Sequence, residues 1–292
     1  MKRILIATDF SSTARAAARY GVQLAKALGA DVILFSAYQV PHPFAALNVL
    51  VSSLAVMEDT RAKLADEARE LGKPDEVRIE ILCEEGIPHE TILAIAKEKE
   101  VDLVIVGMAG SHSGLKKLFG DTATALVSDL AVPVIIVPAD AKFKALKNVL
   151  YASDVFLDTT IAAIDQVKWL TDFFRSKLYV VRVVKDSYEE VRERVNTPQN
   201  LRKELKDLQA GFSFPVNTNT TQGLDDFIKE RPVDVVVMLP HKHEWLERLL
   251  IRSETNEMVE HTHLPILLLP EASTVGKNMT PVEVAEKYGY DE

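Results

Sequence analysis

A single cysteine, Cys83, is all that this 292-residue sequence offers for thiol chemistry. Neither an intrachain disulfide nor a cysteine metal cage can form, and a reducing compartment, the cytoplasm, is the expected setting. Cys83 continues the alternation of Val77, Ile79 and Ile81, which predicts a buried strand thiol rather than a nucleophile. Long apolar runs are also missing, since stretches such as Val132 to Pro138 fall far short of the ~20 residues that a membrane-spanning helix needs. Met1 leads straight into Lys2-Arg3-Ile4-Leu5-Ile6, so neither a membrane span nor a signal peptide is expected. Blocks of Lys and Arg with interleaved aromatics are absent, and a formal net charge of −9 repels a phosphate backbone, so nucleic acid is not an expected partner.

What is present is the composition of an ordinary globular protein, 47% hydrophobic and 26% charged, in a chain long enough for two domains. One pattern is written twice. Lys2-Arg3-Ile4-Leu5-Ile6-Ala7-Thr8-Asp9 returns as Lys147-Asn148-Val149-Leu150-Tyr151-Ala152-Ser153-Asp154. Val101-Asp102-Leu103-Val104-Ile105-Val106 returns as Val233-Asp234-Val235-Val236-Val237-Met238, and at the same offset Pro133 to Pro138 maps onto Pro265 to Pro270. The repeat divides the chain into a first domain over 1–143, a second over 144–270 and a tail over 271–292, with the junction around Ala139 to Leu146.

Apolar strands alternate with helix-like stretches and lack the strict polar alternation of a half-exposed antiparallel sheet. The reading for the first copy is strand 2–8, helix 12–28, strand 32–38, helix 45–71, strand 77–83, helix 88–99, strand 102–106, helix 122–130 and strand 133–137. Ser11 or Ser12 opens the first helix and Gly29 closes it. The second copy repeats this order, with helices near 158–175, 187–209, 224–230 and 253–261. Two α/β domains in tandem follow, each a doubly wound, five-stranded parallel sheet. Because each sheet needs covered edges and the connection is short, the copies are expected to pack as an intrachain pseudo-dimer, with a homodimer of two chains left open. In the tail, Thr280-Pro281-Val282-Glu283 reads as a capping-box start for a short helix over 281–288.

The stretch from Gly107 to Thr122 carries the chemistry. It follows an apolar strand and precedes a helix, where glycines let backbone N–H groups approach phosphate and the helix offers a positive dipole end. A glycine cluster alone would also serve as a ligand-free turn. The spacing, however, is Gly107, two residues, Gly110, nine residues, Gly120. This resembles the nucleotide loop of the universal stress protein family. Thr8-Asp9-Phe10-Ser11 looks like that family's first-strand ending. Gly86-Ile87-Pro88 with Ile92 and Ala96 is similar to its approach to strand four, and Val101 to Gly107 and Val132-Pro133-Val134 to its last two strands. The resemblance spans the first half, with weaker strand-level similarity through Pro270.

That resemblance implies an adenine nucleotide, ATP or AMP, as ligand. Asp9 would accept hydrogen bonds from the adenosine part, the backbone around Ala37 would read the adenine edge, and Gly107, Gly110 and Gly120 would cradle phosphates. Thr8, Val106, Ala109, Asp121 and Thr122 complete the implied cofactor-binding set. Without the family, Asp9 reads equally well as a turn or capping carboxylate beside Ser11 and Ser12. Asp121 stands where the family's binding members carry Ser or Thr, and two unit charges ~4 Å apart repel by about 4 kcal/mol at an effective dielectric of 20. Asp121 could instead cap the next helix or hold Mg²⁺ against the phosphates, and Thr122 could supply the displaced hydroxyl.

In the second copy Gly107, Gly110 and Gly120 correspond to Leu239, Lys242 and Arg252, so only the first is expected to bind. The pairs His241/His243 and His261/His263 lack the cysteines or carboxylates of a zinc site and read as surface histidines. Trp245, Leu246, Leu249 and Leu250 have helix-like spacing and read as a packing face. The implied function is a nucleotide-sensing stress-response protein that is not an enzyme and acts on an unidentified protein partner. The alternatives are a ligand-free interaction module, or an enzyme such as an adenylyl transferase or ATP pyrophosphatase, for which no Ser-Gly-Gly loop is present. A flavin electron carrier fits the fold class only.

Overall fold

The structure is a computed structural model that describes residues 3–40, 49–72, 76–108, 121–129, 131–153, 160–196, 205, 208–239 and 263–270. The chain divides into two compact units, one ending at Phe143 and the other running from Lys144.

The first unit holds strands β1 (Arg3–Ala7), β2 (Asp31–Tyr38), β3 (Ile79–Glu85), β4 (Leu103–Gly107) and β5 (Val134–Val137). Helices α1 (Ser12–Leu28), α2 (Val49–Leu71), α3 (Pro88–Glu98) and α4 (Asp121–Ser128) connect them. Its strand order is β3-β2-β1-β4-β5, and the pairs are parallel. A right-handed crossover sends α1 and α2 to one face while the order runs outward from β1 to β3, and α3 and α4 to the other once it reverses. The contacts follow that rule, since α1 packs on α2 and α3 on α4. The core lies between these layers and is built from aliphatic residues such as Ile4, Leu5, Ile6, Val104 and Ile105.

The second unit holds β6 (Asn148–Ala152), β7 (Lys177–Val181), β8 (Gln209–Ser213), β9 (Val235–Met238) and β10 (Ile266–Leu268), with helices α5 (Thr160–Phe174), α6 (Ser187–Asn196) and α7 (Thr220–Glu230). Its order is β8-β7-β6-β9-β10, again parallel throughout, so it has the topology of the first unit. The repeated Val-Asp pairs explain part of the sequence pattern. Asp102 Oδ2 accepts from the Arg3 N–H at 3.0 Å, and Asp234 Oδ2 accepts from the N–H groups of Lys147 and Asn148 at 2.9 and 2.8 Å. Each carboxylate holds the start of its unit's first strand.

Local chemistry sets the helix ends. Ser11 caps α1 by accepting the Ala14 N–H, and Gly29 closes it at φ 62, a conformation glycine adopts without strain. Asn219 caps α7 by accepting from the N–H groups of Thr221 and Gln222. That cap places the helix start four residues before the expected 224. Of the helix expected over 187–209, the described part is Ser187–Asn196, and Gln209 at its expected end already belongs to β8. Along α6, Tyr188, Val191 and Val195 share one face and are 80%, 61% and 76% exposed. Cys83 is half-buried rather than buried, because β3 stands last in its sheet order. Burial still pushes its thiol up from the usual range. The helix expected over 253–261, Trp245 to Leu250, His241, His243, His261 and the tail helix over 281–288 lie outside the described residues. Among those described, no helix is long and apolar enough to cross a membrane.

Candidate functional site

The candidate site lies where the first unit's order reverses, at the carboxyl ends of β1 and β4. Ile6 pairs with Ile105, so the segments leaving Ala7 and Val106 start side by side. In an open α/β sheet this switch point is where two loops diverge and leave room for a ligand.

The turn after β1 is held by four polar contacts. Thr8 is 5% exposed, and its N–H bonds the Phe35 carbonyl of β2 at 2.8 Å. The Thr8 hydroxyl accepts the Phe10 N–H at 3.0 Å, and the Asp9 carboxylate accepts the Ser11 N–H at 3.0 Å. Ser11 then caps α1. Asp9 itself is exposed, so the turn role and an outward-facing acceptor coexist in one residue. Phe10 takes φ 65, a left-handed conformation that costs a non-glycine residue roughly 1 kcal/mol or more.

Val106 is buried inside β4, and Gly107 ends the strand in register with Val137. A Cβ on Gly107 would lie 2.8 Å from the Thr13 carbonyl oxygen and 3.0 Å from the Ala14 nitrogen. The close approach of β4 to the first turn of α1 therefore requires this glycine whether or not a ligand is present. Ala37 is half-exposed near the end of β2, paired with Glu84. Thr122 is half-exposed in the first turn of α4, which Asp121 opens. Ala109, Gly110 and Gly120 lie outside the described residues. The structure thus brings Thr8, Asp9, Val106 and Gly107 together, with Ala37 on the adjoining strand.

Sequence reading missed Glu67. It belongs to the core-facing stripe of α2 with Thr60 and Leu64, and is itself only 5% exposed. The Thr8 hydroxyl donates to its carboxylate, 3.1 Å to Oε2 and 3.3 Å to Oε1. Burial pushes the Glu67 carboxyl above its usual range. The Thr8 hydrogen bond and the Arg15 charge oppose the rise, while Glu70 and Asp9 add to it. A charged side chain seven positions after Thr60 and three after Leu64, on the same side of the helix, was the one signal available. No group of three or more His, Cys, Asp or Glu side chains that could hold a metal gathers among the described residues.

The second unit keeps the frame and changes the contents. Ser153 takes the place of Thr8, its N–H bonding the Val181 carbonyl at 2.9 Å. In register, Arg182 stands where Ser36 does and pairs with the buried Glu193 of α6 at 3.0 Å. Leu239, at the position of Gly107, is buried.

Fold and loop pair together define a doubly wound α/β protein with its candidate site at the switch point. A family model described as the universal stress protein family matches residues 1–138. Universal stress protein MJ0531 of Methanocaldococcus jannaschii is 31% identical over 148 residues, which cover 48% of this chain and 84% of that protein. MJ0577 of the same organism is 27% identical over 157 residues, covering 47% and 94%. A crystal structure of a universal stress protein from Archaeoglobus fulgidus shares the fold with a TM-score of 0.69 at 15% identity, over 92% of this chain and 98% of that one. The chain belongs to the universal stress protein family.

Proposed function

We propose that the first unit binds an adenine nucleotide, ATP or AMP, and that the protein works as a ligand-responsive regulator in the stress response rather than as a catalyst. The carrying observation is the juxtaposition of the exposed Asp9 carboxylate and the Gly107 strand end at the switch point between β1 and β4. The glycine spacing that resembles the family's nucleotide loop supports the ligand class. The ligand would bias a surface read by a protein partner in the cytoplasm, and the second unit, with Leu239 in place of Gly107, would leave one nucleotide site per chain.

Isothermal calorimetry with ATP and AMP tests this. One site per chain is expected, and Asp9→Ala should weaken both ligands by roughly tenfold or more, the usual cost of losing a hydrogen bond to a charged acceptor. Asp121→Ser should tighten ATP more than AMP, since the charge removed stands next to the glycine expected to hold phosphate. A specific observation favours a second reading, a ligand-free interaction module: packing against Thr13 explains Gly107, and the Ser11 N–H explains Asp9. Absence of heat with either nucleotide, together with ligand-free protein on native mass spectrometry, would establish that reading instead.

A further inference from the structure

A carboxylate buried on the core-facing side of a helix is costly, so its placement calls for a reason beyond filling space. Glu67 meets the candidate site through a single side chain. The Thr8 hydroxyl has one proton, which it gives to Glu67, and it accepts the Phe10 N–H. Fixing that proton fixes the rotamer that presents the acceptor lone pair to Phe10. Phe10 needs such a restraint because its φ of 65 is disfavoured for any residue with a Cβ. Asp9 lies between these two residues, and the Asp9 contact to Ser11 passes the restraint on to the cap of α1. The chain of contacts from α2 to α1 therefore runs through the residue expected to read the ligand.

We propose that Glu67 is a positioning residue for the Asp9 turn, holding the Thr8 hydroxyl so that Thr8–Ser11 keeps its path and the Asp9 carboxylate its place. What the turn binds rests on the adenine-nucleotide reading above; that Glu67 orders the turn does not. Glu67 faces Thr8 and Asp9 from the turn, Arg15 from α1 and Glu70 from its own helix. Arg15 is exposed, and Asp9 and Glu70 repel Glu67, so the Thr8 hydroxyl is the buried group that stabilises its charge.

The test compares the full-length chain with Glu67→Gln, Glu67→Leu and Thr8→Val by two measurements. Amide hydrogen exchange of the ligand-free proteins reads the turn, with the β1 amides reporting global stability. Calorimetry with AMP reads binding. Glu67→Gln keeps an acceptor for Thr8 and is expected to retain slow exchange at Phe10 and Ser11 and most of the affinity. Glu67→Leu and Thr8→Val are expected to speed exchange at those two amides by about tenfold while β1 stays protected, to weaken AMP by roughly five- to tenfold, and not to add when combined. Unchanged Phe10 and Ser11 exchange in Glu67→Leu would overturn the proposal, as would acceleration spread equally over β1, which marks a purely structural residue. If the wild-type chain binds no AMP, the nucleotide reading falls while the exchange data still decide the role of Glu67. Should Glu67→Leu fail to fold, Glu67→Met, which also removes the acceptor but leaves the Thr8 hydroxyl and its bond to the Phe10 N–H in place, carries the same comparison.

Discussion

At the scale of single residues, Glu67 couples stability to pH with a definite sign. Its carboxyl titrates above the usual 4.5 in the folded chain, so between that value and the folded pKa the native state holds a proton that the unfolded state has lost. Stability from this group is therefore complete below pH 4.5 and is lost as pH rises through the folded pKa. Glu67→Gln removes the titration and keeps the Thr8 contact. Its melting temperature relative to wild type should rise with pH above 4.5 and then level off, and a constant difference across that range would contradict the assignment. Gly107 allows a sharper structural test. A methyl group there meets the backbone of α1, whereas one on Gly21 meets the movable Cδ1 atoms of Ile6 and Ile105. Urea denaturation should show Gly107→Ala losing about 1–3 kcal/mol and more than Gly21→Ala, because backbone cannot yield by changing rotamer.

Helix limits were legible where the capping residue and the apolar stripe begin together, and not where the stripe starts a turn inside the helix. The span of α1 could be read to the residue because Ser11 and Gly29 act within one turn of its ends. The start of α7 could not, because Leu224, Phe227 and Ile228 draw attention to the apolar stripe while the cap is Asn219. Replacing Asn219 by Ala, which strands the N–H groups of Thr221 and Gln222, should cost about 1 kcal/mol in chemical denaturation. A loss below a few tenths would show that solvent replaces the cap. In the candidate site, Asp9 and Gly107 could be picked out from local motif and spacing. Glu67 could not, since its meaning comes from a partner 59 positions away. Gly107 was found for one reason and is required for another, since a phosphate loop and a tight strand-helix contact ask for the same residue.

For the whole molecule, the repeat was visible in sequence because each copy needs the same anchoring carboxylate and the same apolar strands, Asp102 and Asp234 being the clearest pair. The two copies differ where packing chemistry has diverged, as the half-buried Arg182, standing where Ser36 does, pairs with the buried Glu193 and also reaches Glu189. Such a pair contributes little net stability but is costly to break, and because Glu189 stays beside Arg182 when Glu193 is removed, Glu193→Ala should destabilise by about 1–2 kcal/mol. Denaturation of Arg182→Met/Glu193→Leu alongside it should show the double variant recovering most of that loss. Recovery of none would mean that the charges do more than satisfy each other.

Parallel pairing also governs how fast such a chain can reach its native state. Ile4 meets Leu103, and Val149 meets Val235, only after most of a unit has been synthesised and looped back. Among the described strands every pair is parallel and none forms a hairpin that could start the sheet cheaply, so closure entropy must be met before the first central ladder forms. High contact order of this kind places folding on the millisecond-to-second scale, with helices gaining structure first. In stopped-flow refolding, far-ultraviolet ellipticity should therefore rise ahead of amide protection at Leu5 and Val104, and simultaneous gain of both would show that the sheet, not the helices, nucleates the chain.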